Sequence, residues 1–298
     1  MFQFFKNPSF DVVAKRRYAF ILSLVIILAG VVSLFVQGLN YGVDFSGGAK
    51  LQIEFKNSIS AEELRSLFSE SGLGHAEIKS SGVNEYMITI SADESDESDE
   101  LLNTALAGVE YEVLQIDKVG PKMGVEMRNN SISAVAIALL LILVYITVRF
   151  EFKFAIGAVV ALLHDVLVTV AIFSFFQWEF SLPVLAAFLT IVGYSLNDTI
   201  VVYDRIRENI KIHKGKALKD VINLSVNQSL SRTVITSLTT FLVVFILAIF
   251  GGQVLFGFSI AMVVGIIVGT YSSMFIAAPV LVMWENYFKD KEDKKKKK

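Results

Sequence analysis

The chain has 298 residues, 54% of them hydrophobic, with a mean hydropathy of +0.58 and only 19% charged. Soluble domains carry about a quarter charged residues, so this composition excludes an ordinary soluble enzyme and indicates a polytopic membrane protein. The net charge is −2, there is no cysteine, and three scattered histidines give no metal cluster; disulfides, thiolate metal sites and a nucleic-acid partner drop out.

Residues 1–17 are short, aromatic and basic, with Phe2, Phe4 and Phe5 placed to anchor in lipid. Tyr18–Val36 follows Lys15-Arg16-Arg17 and is apolar over 19 residues, long enough to span and not followed by a clean cleavage site. It reads as an uncleaved first membrane helix. The region 37–130 differs in composition. Between 38 and 128 it holds 17 Asp/Glu against 7 Lys/Arg, a difference of −10. Lys50–Phe55 alternates with period two, Ser60–Glu63 is a capping box before a helix, and strands are predicted at 75–80, 85–91 and 110–119 around a helix at 96–106. The order βαββαβ is ferredoxin-like. The run Asp93–Glu100 reads as a solvated helix start with no metal-ligand spacing.

Five more spans are predicted at 131–148, 154–176, 183–203, 233–250 and 255–283, the last longer than one crossing needs. Between the fourth and fifth spans, residues 204–231 hold Arg205, Arg207, Lys211, Lys214, Lys216 and Lys219. Apolar positions at Ile206, Ile210, Leu218, Val221 and Ile222 predict a membrane-surface helix pair there. The cytoplasmic tail 284–298 is lysine-rich, and Lys289–Lys298 reads as disordered by composition and attracted to anionic lipid. Lysines and arginines in short loops fall on one side when six spans are drawn, placing both termini in the cytoplasm and the acidic domain outside.

The polar residues inside the spans carry the functional signal. Asn197 and Asp198 lie deep in an apolar run (Ala187–Asn209), and His164-Asp165 lies half-way along the third span. A carboxylate at the bilayer centre costs about 2.5–3.5 kcal/mol on insertion scales, so a helix that keeps one faces a partner, a wet cavity or a proton path. One reading is a static interhelical knot of Asp198 with Asn197; the other is a carboxylate that exchanges a proton. Arg232 opens the fifth span, and its approach would favour the ionised form of Asp198. Thr233, Thr236, Ser237 and Thr240 follow at spacings of three and four, placing hydroxyls on one stripe, either bonding across helices or back onto their own. Asp165 and His164 are secondary candidates. Gly42, Asp44, Gly47 and Gly48 form a second motif, Tyr41–Gly48. Paired glycines permit positive φ, and Asp44 can accept backbone N–H bonds. The motif reads as a turn seating the domain on the helices, with direct substrate contact as the other reading. No nucleophile elbow, phosphate loop or zinc motif is present, so no enzyme and no cofactor is expected. Gly265 and Gly269 form a GxxxG pattern suited to close helix packing.

Three stretches, GYSLNDTIVVYDRIREN (Gly193–Asn209), YGVDFSGG (Tyr41–Gly48) and SRTVITSLTT (Ser231–Thr240), occur in the order in which they occur in the SecF family of bacterial protein-export membrane proteins, which the chain resembles over nearly its whole length. The resemblance implies half of a resistance-nodulation-division (RND) type transporter, with six helices and one external domain after the first. It implies pairing with SecD, association with the SecYEG translocon and YajC, and use of the proton-motive force to assist export of unfolded protein across the inner membrane. By residue, the family's proton-linked carboxylate falls on Asp198 and its helix-five arginine on Arg232. A proton-driven small-molecule efflux subunit of the same superfamily and a passive scaffold are the alternatives.

Overall fold

The computed structural model describes residues 8–91 and 98–296, with 98–101 and 289–296 described by backbone alone. Phe2, Phe4 and Phe5, and the side chains of the acidic run Asp93–Glu100, lie outside the described residues.

Helix α1 (Val12–Val36) opens the chain. It begins six residues earlier than the predicted span, because the Asp11 carboxylate accepts the Ala14 N–H at 2.9 Å and caps it. A short α2 (Val43–Ser46) leads into β1 (Gly48–Phe55), α3 (Ala61–Glu70), β2 (Glu77–Ser80), β3 (Glu85–Ser91), α4 (Ser98–Ala105) and β4 (Tyr111–Val119). The four strands form one antiparallel sheet in the order β2-β3-β1-β4, which is the expected α+β unit. Ser60 caps α3 through the Glu63 N–H at 3.1 Å, as the capping box predicts. Leu64 and Phe68 from α3 and Leu102, Ala105 and Leu106 from α4 and the turn after it bury Leu51, Ile53, Phe55, Ile88 and Ile90 on one face of the sheet. The other face carries Lys50, Gln52, Met87 and Thr89 toward the helical part of the molecule.

The sheet domain is shorter than 37–130. Gly120 and Pro121 start α5 (Pro121–Arg149) ten residues before the predicted second span, since proline at the first helical position is preorganised and lacks only an N–H that would go unpaired. Then come α6 (Phe152–Phe176), α7 (Leu182–Ile212), α8 (Leu218–Phe250) and α9 (Gly252–Ser272). The last continues through a π-turn (Ser273–Ala277) into α10 (Ala278–Lys296). Among the described residues, six helical runs are thus long and apolar enough to cross a membrane.

Two expectations on the basic side are overturned. The membrane-surface helix pair at 204–231 is absent: α7 runs unbroken to Ile212, the chain turns at Gly215 (φ 93°), and α8 begins at Leu218. No helix breaker separates Tyr203 from Ile212, and the apolar stripe that suggested surface binding is used inside the protein. Ile206 and Ile222 are buried, Ile210 and Leu218 pack against them, and Asn209 donates to Ser225 Oγ at 2.9 Å and Gln228 Oε1 at 2.7 Å across the hairpin. The lysine-rich tail, expected to be disordered, extends α10 to Lys296.

Candidate proton-coupling site

Asp198 lies midway along α7 and is 2% exposed. Its Oδ2 accepts from Ser237 Oγ of α8 at 3.1 Å, and Ser237 accepts from Thr270 Oγ1 of α9 at 2.7 Å. Two hydroxyls from two helices thus form a donor chain ending on the carboxylate. Such a chain stabilises negative charge where bulk water is excluded. Thr233, one turn from Ser237, is buried with its hydroxyl unpaired.

A second acid is more enclosed. Asp165 of α6 is fully buried. Its Oδ1 pairs with His164 Nδ1 at 2.9 Å, and its Oδ2 accepts from Ser272 Oγ of α9 at 2.8 Å and from Ser195 Oγ of α7. His164 Nε2 lies 2.8 Å from Ser23 Oγ of α1. Ser195 and Asp198 lie three residues apart on α7, and Thr270 and Ser272 two apart on α9, so the two acids draw on the same pair of helices. That pair packs closely. A side chain at Gly265 would strike Ile191 at 2.3 Å, and one at Gly269 would meet Ser195 Cβ at 2.9 Å. The GxxxG pattern is the α7–α9 seam.

The residues grouped by sequence are not all grouped in space. Asn197 is exposed and turned away from Asp198, because neighbours in a helix point about 100° apart. Arg232 is also exposed; the partner of Asp198 on α8 is Ser237, five residues on and on a different face. The hydroxyl stripe of α8 divides. Thr233 and Ser237 face the bundle, whereas Thr236 donates back to the Arg232 and Thr233 carbonyls at 3.1 and 2.9 Å. Thr240 lies 3.3 Å from the Tyr194 hydroxyl, which donates to the Thr236 carbonyl at 2.8 Å. Ser23, Ser195, Thr270 and Ser272 were missed. Nothing in the sequence separates them from other hydroxyls nearby, such as Ser273 beside Ser272, and only the third dimension selects them.

The Tyr41–Gly48 motif joins the sheet to the bundle. Asp44 Oδ2 accepts the Leu182 N–H at 2.8 Å, in the first turn of α7. Gly42 N–H donates to the Phe180 carbonyl at 2.9 Å, and Phe180 N–H to the Asn40 carbonyl at 2.6 Å. Gly47 and Gly48 have φ of 78° and 131°, which a side chain would resist. Lys50 on β1 bonds Glu179 at 2.7 Å, directly before α7. The domain therefore grips the end of the helix that carries Asp198. Among the described residues no three His, Asp or Glu side chains come together as metal ligands.

Residues 100–287 match the family model described as "Protein export membrane protein SecD/SecF, C-terminal", and residues 32–59 match the "SecD/SecF GG Motif". The chain is 45% identical to a protein translocase subunit SecF of Desulfurispirillum indicum, covering 90% of both chains. It is 44% identical to a SecF of Rhodothermus marinus, covering 93% of this chain and 94% of that one. A protein translocase subunit SecDF of Thermus thermophilus is 38% identical over 97% of this chain, which spans 40% of that protein. The crystal structure of a Thermus SecDF, described as a translocon-associated membrane protein, superposes with a TM-score of 0.83 at 38% identity, over 94% of this chain and 39% of that one. The match runs from the glycine motif through the helix bearing Asp198 to the last span, and the chain belongs to the SecD/SecF family of protein export membrane proteins.

Proposed function

We propose that the chain is a non-enzymatic auxiliary subunit of the bacterial Sec translocase that pairs with SecD and couples the proton-motive force to protein export. It sits in the inner membrane with both termini cytoplasmic and the sheet domain periplasmic, beside the SecYEG channel and YajC. The observation that carries this reading is Asp198: a buried carboxylate at mid-span, met by a hydroxyl donor chain and by no cationic side chain among the described residues. One charge crossing 100 mV is worth about 2.3 kcal/mol, enough for one proton per cycle to bias an equilibrium between two helix packings. The link from Asp44 and Glu179 to α7 offers a route from that equilibrium to the domain that faces the client.

Pairing with SecD is supported by what the bundle leaves uncovered. On α7, Thr190, Gly193 and Asn197 lie exposed at spacings of three and four; on α8, Arg232, Thr236 and Thr239 do the same. Polar groups inside the spans and an arginine at the entry of one do not face lipid tails, so a second helical half covers them. The Thermus relative carries both names in one chain.

Replacing Asp198 by Asn tests the coupling. Gradient-driven export should fall to the level of membranes lacking the chain, while insertion and co-purification with SecD persist. Export that keeps its dependence on the gradient would leave only the scaffold reading. Because the chain has no cysteine, N197C supplies a single reactive site that should crosslink to SecD.

A further inference from the structure

We propose that His164 and Asp165, closed by Ser23, form a second proton-exchanging site, placed where the α1–α6 pair meets α7 and α9. The inference rests on the reading of the chain as proton-coupled, but it concerns a different acid at a different helix contact.

α1 and α6 are locked along their sheet-domain half. A side chain at Gly30 would lie 2.0 Å from Ala171 Cβ, Ser33 and Ser174 hydroxyls meet at 2.8 Å, and Gln37 donates to the Ser174 carbonyl at 3.1 Å. α7 and α9 are locked by the glycine contacts described above. Asp165 leaves the first pair and takes its hydroxyl donors from the second, one from Ser195 and one from Ser272. Its protonation state therefore acts on the contact between two tight helix pairs. Asp198 acts elsewhere, where α7 and α9 meet α8.

The hydrogen bonds around the acid can be satisfied in two protonation states. With the pair deprotonated, Ser23 donates to His164 Nε2, His164 Nδ1–H donates to Asp165 Oδ1, and both serines donate to Oδ2. The carboxylate then has three donors. The tautomer follows from this network. When one proton is added at Nε2, a new N–H bond forms, the imidazolium donates to Ser23, and the Ser23 O–H turns to the Tyr271 hydroxyl 3.3 Å away. Tyr271 still donates to the Ala19 carbonyl at 2.9 Å. If a proton moves on across the Nδ1···Oδ1 contact, it comes to rest on Oδ1, which then donates to the bare Nδ1, while Nε2–H keeps its bond to Ser23 and both serines still donate to Oδ2. No buried polar atom loses its partner in any of these states, which removes the main cost of changing charge in a buried network. A static knot needs only one such arrangement. The loss of the proton reverses these rotations.

No lysine or arginine lies within one turn of Ser23, His164, Asp165, Ser195 or Ser272 in the sequence. The titratable groups facing the pair are Tyr271 from α9 and, one turn along α7 from Ser195, Asp198. From α1 Ser23 approaches, and the π-turn that begins at Ser273 contributes no ionisable side chain. A π-turn beside a polar cluster is a common mark of a functional position in a helix.

The test is infrared difference spectroscopy of the full chain in lipid nanodiscs, titrated between acid and alkaline pH, following the carbonyl band of protonated carboxyl groups. In an Asp198→Asn background a titrating buried carboxyl band should remain. It should vanish on adding Asp165→Asn, and its midpoint should move by about one pH unit or more on His164→Gln and by less on Ser23→Ala. A purely structural cluster does not titrate, so the absence of a band in the Asp198→Asn background overturns the proposal, as does a band that survives Asp165→Asn. Should Asp165→Asn fail to fold, His164→Gln and Ser23→Ala keep the test, because an unmoved midpoint in both would refute the pairing.

Discussion

The two acids of the bundle are built differently. Asp165 is enclosed by four helices' worth of polar atoms, with a histidine on one oxygen and two serines on the other. Asp198 is met by hydroxyls alone, Ser237 backed by Thr270, and its own helix exposes Asn197 at the preceding position. The first site is complete within the chain. The second is supported from one side and lies in a helix whose outer stripe is polar. Self-sufficiency at Asp165 and incompleteness at Asp198 are what a subunit needs if one acid answers to internal packing and the other to a partner.

The most damaging way to break this arrangement is to separate the helices both acids share. Gly269→Val would drive a side chain into Ser195, already 2.9 Å from the position of a Cβ there. Overpacking costs about 1–3 kcal/mol where side chains can give way, and here the obstacle includes backbone. Thermal unfolding in detergent should show a strong loss of stability. An unchanged melting temperature would mean that the α7–α9 seam is looser than its geometry, and that the acids are not held in common.

A gentler change sharpens the contrast. Ser237→Ala removes the nearest donor of Asp198 and breaks its link to Thr270, whereas Ser272→Ala leaves Asp165 with His164 and Ser195. A hydrogen bond to a charged group is worth about 1.5–3 kcal/mol. Gradient-driven export should therefore drop about tenfold or more in the first variant, at about 1.4 kcal/mol per decade, and much less in the second. Equal effects would show that Asp198 has further donors of comparable strength.

The contrast also shows what a one-dimensional reading reaches. Both acids were legible because a carboxylate in an apolar run is conspicuous whatever surrounds it. The sheet was legible because alternation and a capping box are local patterns, and the observed strand order follows from them together with pairing. Asn197 was read wrongly as the neighbour of Asp198. Adjacent residues of a helix point about 100° apart, and the true partners come from residues 237 and 270. The surface helix pair at 204–231 failed for a related reason: an amphipathic stripe looks alike whether it meets lipid or another helix. Only the pairing of Ile206 and Ile222 in one core decides between them.

The N-terminus gives the smallest and most local prediction. The sequence offered residues 1–17 only as a lipid anchor, yet the start of α1 is pinned to α8. Phe10 N–H donates to Asn227 Oδ1 at 2.9 Å, Val13 N–H to Asn223 Oδ1 at 3.1 Å, and Asn223 Nδ2 to Asp11 at 2.7 Å. The Ala14 amide, then the Asn223 side chain, and the nearby Lys219 and Lys15 hold the Asp11 carboxyl below its usual range. A depressed folded value stabilises the clamp above the ordinary carboxylate range and releases it as pH falls through the lowered value, hence below about pH 4. Asp11 is exposed, so solvent screens most of this. The protection of the Ala14 amide relative to its intrinsic exchange rate should fall on acidification in the native chain. In Asp11→Asn, which keeps an acceptor but no titrating charge, that loss of protection should be absent, and in Asp11→Ala the amide should be weakly protected at every pH. Equal acid sensitivity in the native chain and Asp11→Asn would place the titrating group elsewhere and leave the clamp to the two asparagines of α8.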